Sequence, residues 1–122
     1  MIGIGIDIQA ISRMEVLLAR YDSELTLVFT PGELEWARQS RAPATALALS
    51  FSAKEAMGKA LGTGLADIGW GDIEAELREG SGQLAITLTG SALRLAECLG
   101  ASHWTAGWTT WDDQVLVTVV VE

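Results

Sequence analysis

The first eight residues, MIGIGIDI, alternate without exception: Ile2, Ile4, Ile6 and Ile8 fall on one side of an extended chain, and Gly3, Gly5 and Asp7 on the other. A period of two over that length predicts a strand. One side of that strand is apolar and the other is nearly bare of side chains, so it is built to let another backbone or a ligand come close. The closing segment complements it. Val115, Val117, Val119 and Val121 alternate with Leu116, Thr118 and Val120, so the last strand is apolar on both sides and is expected to be covered on both.

Between these strands the pattern changes to helices. A helix is expected over 10–21. In FTPGELEWARQ, Thr30 stands as N-cap, Pro31 at the first helical position and Glu33 three residues after the cap, a capping box that opens a second helix. The longest helix is expected over 44–61. Its stripe is Leu47, Phe51, Lys54, Gly58 and Leu61, with Gly62 placed to end it. Strands follow over 72–77 and 83–88, joined around Glu79, Gly80, Ser81 and Gly82, and a helix over 90–99 is stopped by Gly100. The chain shows no repeat, low-complexity tract or linker, and its helices mix with antiparallel strands. The fold class is α+β, in one domain over 1–122.

Size and charge narrow the function. A chain of 122 residues buries roughly two thirds of its unfolded surface, enough for its own core. The single Cys98 excludes an internal disulfide, and neither a basic-then-apolar leader nor a membrane-length apolar run is present; the expected place is the cytoplasm, with no membrane association. Net charge is −8 but uneven: residues 1–59 hold six basic and seven acidic side chains, residues 60–122 two and nine. An anionic partner therefore meets the first half. Nucleic acid is excluded for want of a dense basic stripe, and the acidic half reads as a solvated surface.

Asp7 is the first candidate for chemistry, because aspartate is depleted inside strands. Two readings stand side by side: a metal or ligand meets Asp7 beside the glycines, or the glycines admit a packed helix and Asp7 caps the next turn. SFSAKEAMGKALGTG is the second candidate. Glu55 and Lys59 are four apart and so neighbours on a helix surface, while Lys54 interrupts the apolar stripe and needs an outlet, which snorkelling to solvent would also provide. Taken together, Asp7 and Glu55 offer two carboxylates to a hard cation. Lys54, Lys59 and the amides of Gly62, Thr63 and Gly64 offer donors to phosphate oxygens. That set suits Mg2+ and a diphosphate. No Walker-type loop or dinucleotide fingerprint is present, and lone His103 with lone Cys98 makes no zinc site.

On these residues the chain resembles the holo-acyl-carrier-protein synthases, a family of small 4′-phosphopantetheinyl transferases. GIGIDIQAISR resembles their opening motif and FSAKEAMGKALGTG their central helix; FTPGEL, GWGDIEA and VTVVVE follow in the same order. The resemblance implies Mg2+-dependent transfer of 4′-phosphopantetheine from coenzyme A to a serine of an apo acyl carrier protein, of the fatty-acid or polyketide kind, with release of 3′,5′-adenosine bisphosphate. It implies Asp7 and Glu55 as the metal carboxylates and Lys59 on the transferring phosphate. Lys54 and the turn of Gly62, Thr63 and Gly64 correspond to the coenzyme-binding segment. Arg13 and Arg20, seven apart on one helix face, correspond to positions that meet the carrier's acidic helix, although two solvated arginines would look the same. Glu33 matches the family by type, but its capping role already explains it. The implied fold packs an antiparallel sheet against a long central helix, and three chains associate with active sites between neighbours. Trp104, Trp108 and Trp111 would serve that interface or, more simply, the core of one chain.

Two departures stand out. Ser50 replaces an arginine that usually precedes the FAAKEA motif, and Gly107, Trp108, Thr109 and Thr110 replace an SxSH motif whose histidine lies by the coenzyme. His103 is no substitute, being seven residues, about 23 Å, away along a strand. The rival expectation is a carrier-binding homologue with the same fold and no productive coenzyme site.

Overall fold

The computed structural model describes residues 1–20, 22–65, 68–78 and 80–122. Strand β1, Gly3–Ala10, runs into helix α1, Ile11–Arg20; a 3-10 segment, Asp22–Leu27, leads to α2, Pro31–Gln39, and α3, Pro43–Ala60. A 3-10 turn, Trp70–Asp72, precedes β2, Ile73–Leu77, and β3, Leu84–Leu88. Helix α4, Gly90–Cys98, and the hairpin of β4, Trp104–Trp111, and β5, Gln114–Val121, complete the chain. The elements whose bounds the sequence set agree to within a residue or two at each end, whereas β4 and the two 3-10 segments carry no such expectation. Tyr21 and Glu79, in the expected first helix and hairpin turn, lie outside the described residues.

The strands form two antiparallel sheets, β1-β5-β4 and β2-β3, and α3 packs across both. The odd valines of β5, 115 to 121, face α3 and are completely buried. The glycine side of β1 faces α3 as well. A Cβ on Gly3 would lie 1.9 Å from the Ala60 carbonyl oxygen, and one on Gly5 1.8 Å from that of Ala56, so strand and helix touch backbone to backbone. This inverts the usual rule for a half-buried strand. The isoleucines point away from the core, with Ile2, Ile4, Ile6 and Ile8 at 40%, 54%, 50% and 48% exposure. Within one chain the outer face of β5 is half-covered and only its inner face is sealed.

Helix α3 is buried almost all round, so the single stripe expected from its sequence understates it. Its polar side chains bond strand carbonyls, those of Ala75 and Ile6 on open edges. Ser50 Oγ donates to the Ala75 carbonyl at 2.6 Å, Ser52 Oγ to that of Asp7 at 3.0 Å, and Lys59 Nζ to that of Ile6 at 3.0 Å. Lys54 does not snorkel. Its side chain is fully buried, and its ammonium meets Glu33 Oε1 at 2.7 Å, the Trp70 carbonyl at 2.8 Å and the Ile73 carbonyl. Those are all three donors a lysine has.

Glu33 is bonded as fully. The capping box forms, with the Glu33 amide donating to Thr30 Oγ1 at 3.1 Å and the Thr30 amide to Glu33 Oε1 at 2.9 Å. Its other oxygen accepts the Ala75 amide at 2.8 Å. Burial pushes the Glu33 carboxyl up and the Lys54 ammonium down, each opposed by the charge of the other. Removing one member strands the other charge in the interior, which typically costs about 3–5 kcal/mol. Lys54→Met should therefore lose about that much in urea unfolding, and adding Glu33→Gln should cost little more. Two losses that simply add would show that the pair is not coupled.

Candidate active site

The close approach of β1 to α3 sets the site. With Gly5 against Ala56, the next inward residue of the strand, Asp7, comes opposite Glu55 and Lys59 on the helix. Asp7 Oδ1 pairs with Lys59 Nζ at 3.2 Å, and its Oδ2 accepts Gln9 Nε2 at 2.8 Å. Asp7 is largely buried, whereas the Lys59 side chain is 49% exposed and its ammonium stands at the mouth of the site. Asp7 therefore caps no turn: the glycines admit the helix, and the carboxylate is delivered to the helix's charged residues. Gln9 was not foreseen; its signal was its place two residues on from Asp7 along the same face.

Glu55 is half-buried, and its carboxyl is raised above the usual range by burial first and by the charge of Asp7 second, with Lys59 pulling it back. Two carboxylates thus feel each other's charge, and one lysine only partly relieves it. Such a pair of hard oxygen donors fits Mg2+, which commonly takes one or two protein carboxylates and completes its shell with water and phosphate oxygens. Among the described residues, no three His, Cys, Asp or Glu side chains gather into a cage.

Two expectations need correction. Lys54 has no donor left for a phosphate, because Glu33 and two carbonyls use all three. The turn after α3 is likewise engaged: the Gly62 amide donates to the Lys59 carbonyl and the Gly64 amide to that of Gly58, both at 3.0 Å. Gly62 and Gly64 adopt positive φ, 88° and 61°, and the turn folds under the helix end against Gly58, where a Cβ would lie 2.9 Å from the Gly64 carbonyl carbon. These amides are needed by carbonyls that a helix C-terminus leaves unpaired. Thr63 stands between these two glycines, its Oγ1 donating to the Gly64 carbonyl at 2.9 Å.

Arg13 and Arg20 are both exposed on α1, on either side of exposed Val16. Their helix is a separate element from β1 and α3, which carry the Asp7, Glu55 and Lys59 cluster. Thr110 is the penultimate residue of β4, paired with Val115 beside the hairpin turn, and it lines a cavity of about 250 Å³ with Trp36, Leu49, Leu77 and Trp108. His103 lies beyond the other end of β4, its Nε2 3.3 Å from Thr105 Oγ1. The tryptophans of β4 tie the two sheets together: Trp104 Nε1 donates to the Ile86 carbonyl at 2.8 Å and Trp108 Nε1 to that of Gly82 at 2.9 Å. Trp111 is exposed.

Known proteins match this architecture along its whole length. The family model of the 4′-phosphopantetheinyl transferase superfamily matches residues 3–120. The holo-[acyl-carrier-protein] synthase of Moorella thermoacetica is 42% identical over 105 residues, 86% of this chain and 81% of its own. That of Solidesulfovibrio magneticus is 39% identical over 122 residues, 98% of this chain and 97% of its own. Among solved structures, the holo-[acyl-carrier-protein] synthase of Neisseria meningitidis superposes with a TM-score of 0.86 at 32% identity, covering 100% of this chain and 99% of that one. A coenzyme A complex of the Chronobacterium ammoniagenes synthase superposes with a TM-score of 0.79 at 26% identity, covering 98% and 95%. A chain matched over nearly all its residues, in sequence and in fold alike, belongs to the 4′-phosphopantetheinyl transferase superfamily.

Proposed function

We propose that this chain is a holo-acyl-carrier-protein synthase, transferring 4′-phosphopantetheine from coenzyme A to a serine hydroxyl of an apo acyl carrier protein and releasing 3′,5′-adenosine bisphosphate. The observation that carries the reading is the cluster of Asp7, Glu55 and Lys59, formed in a chain of this family. It speaks against a carrier-binding homologue without activity, which would have no use for two mutually repelling carboxylates.

Asp7 and Glu55 would hold Mg2+, which when bound supplies positive charge for the coenzyme's diphosphate. Gln9 and Lys59 hold the Asp7 carboxylate in place. Attack by the serine oxygen forms a bond to the β-phosphorus and breaks that to the bridging oxygen, which leaves on 3′,5′-adenosine bisphosphate; the hydroxyl proton passes to water, and negative charge builds on the phosphate oxygens. Lys59, half in solvent, spends two of its three donors on Asp7 and the Ile6 carbonyl and keeps one for them, where preorganised charge lowers the barrier. The remaining work is positioning. Arg13 and Arg20 offer the acidic face of a carrier two cations with apolar Val16 between them, suited to steering and orienting it.

The Ile2, Ile4, Ile6 and Ile8 face supports a homotrimer. By register Ile4 stands beside Val120 and Ile8 beside Leu116, so the apolar strip continues across the sheet. A contiguous exposed apolar area of this kind marks an interaction surface, and a second and third copy of the chain are its occupants here.

Asp7→Asn and Glu55→Gln should each remove most of the activity and weaken Mg2+ binding in calorimetric titration, with the domain still folded. Because the Glu55 carboxyl is raised, protons should compete with the cation at higher pH than for an ordinary glutamate. Asp7→Asn removes one cause of that rise and should move the Glu55 titration down. Full turnover in either folded variant would refute the metal assignment.

For the trimer, light scattering should show three chains for the parent and one for Ile6→Glu, which puts a charge into the strip. A parent that is monomeric at working concentration would rule the assembly out.

Thr110 offers a neutral hydroxyl where the family places an imidazole. A lost charge-assisted hydrogen bond costs about 1.5–3 kcal/mol, or roughly ten- to a hundredfold in affinity. Thr110→His sits on an exposed strand end beside a cavity, so it should fold and should tighten coenzyme A binding in calorimetry without changing carrier affinity. Equal affinities would remove this strand from the coenzyme site.

A further inference from the structure

The N-terminus of α1 has no cap from its own neighbourhood. Its first turn holds no acidic residue, and the residue before it, Ala10, is the last of β1. Two of the amides that a helix start leaves unsatisfied, those of Ile11 and Ser12, are met instead by one distant residue, Asp113. Its Oδ1 accepts the Ser12 amide at 2.9 Å, its Oδ2 accepts Ser12 Oγ at 2.5 Å, and its carbonyl oxygen accepts the Ile11 amide at 2.7 Å. A carboxylate is also the favourable charge for a helix N-terminus.

Asp113 is held in that position by the sheet. It is the second residue of the two-residue turn between β4 and β5, and the pairing of Ala10 with Gln114 sets the turn directly over the junction of β1 and α1. The first turn residue, Asp112, has φ of 49°, the one non-glycine residue with positive φ among those described. Two-residue hairpins commonly need that conformation, and aspartate tolerates it better than most.

We infer that Asp113 is a positioning residue for carrier docking: it locks the first turn of α1, and with it Arg13, to the strand that carries Asp7. The inference rests on the docking role proposed above for Arg13 and Arg20. Arg13 follows Ser12 directly, and Asp7 lies three residues before Ala10 on the strand that enters the helix. The cap therefore sets the angle between the surface that receives the carrier and the carboxylates that serve the transfer. Without it the first turn frays, and the carrier has to order Arg13 as it binds, which lowers affinity. The coenzyme has no such cost.

The test is steady-state kinetics of the parent, Asp113→Ala, Asp113→Asn and Arg13→Glu, with carrier and coenzyme A varied separately, together with amide hydrogen exchange at Ile11 and Ser12. Asp113→Ala should speed exchange at Ser12, and less at Ile11, whose main-chain acceptor is kept, and should raise the carrier KM roughly fivefold, the ordinary effect of losing a helix cap. The coenzyme KM should stay at its parent value, and kcat should move less than the carrier KM. Asp113→Asn keeps a side-chain oxygen for the Ser12 amide and should recover most of the difference. Fast exchange with an unchanged carrier KM overturns the inference and leaves the docking reading standing, provided Arg13→Glu still raises that KM. An unchanged carrier KM in Arg13→Glu brings down the docking reading and this inference with it. Should Asp113→Ala not fold, Ser12→Ala, which removes only the hydroxyl bond, must show the same selective rise at smaller size; equal rises for both substrates overturn the inference.

Discussion

Burying an ion pair is expensive, and this fold is organised around one. Glu33 and Lys54 leave water together, and the desolvation of two charges is offset only because nearly every lone pair and proton they carry is matched. The partners of that match come from α2, α3, the turn before β2 and β2 itself. Each bond from the pair therefore fixes the position of one element against another. An apolar pair of similar volume would fill the space but would leave the carbonyls of Trp70 and Ile73 and the amide of Ala75 without partners in a dry interior, where each costs of the order of 1–3 kcal/mol.

The same economy of backbone groups runs along α3. Ser50, Ser52, Lys54 and Lys59 each donate a side-chain hydrogen bond to a carbonyl on β1 or in the β2 region. The helix thus serves as the missing neighbour of two strand edges that would otherwise be open to pairing with another chain. Ser50 is one of these closures: it is buried and bonded within the chain, so a structural contact accounts for the serine at this position.

Catalytic potential and packing share one cause. Glycine at positions 3 and 5 lets β1 press against the backbone of α3, and that approach brings Asp7 to Glu55 and Lys59. The side of β1 that ordinarily supplies core residues then faces outward with its isoleucines. One choice of face thus produces both the site and the apolar surface proposed for assembly. The surface proposed for docking lies on a separate element, α1, whose start is held by a turn from the far end of the chain.

Local pattern determined much of this. Strict alternation marked β1 and β5, the capping box marked the start of α2, and glycines marked the ends of α3 and α4, because each is a relation among residues a few positions apart. Asp7, Glu55 and Lys59 were legible as candidates from their types and spacing. Tertiary structure alone decided which of two lysines five residues apart is buried in the core and which reaches the candidate site. Lys54 and Lys59 differ by about 140° around the helix axis, since five residues turn through 500° at about 100° each, and no local rule says which direction faces protein. The same holds for the Gly62 and Gly64 amides, which the helix end needed before any phosphate could claim them. Asp113 was invisible for a plainer reason: its partners are a hundred residues away, and only the pairing of the first strand with the last brings them together.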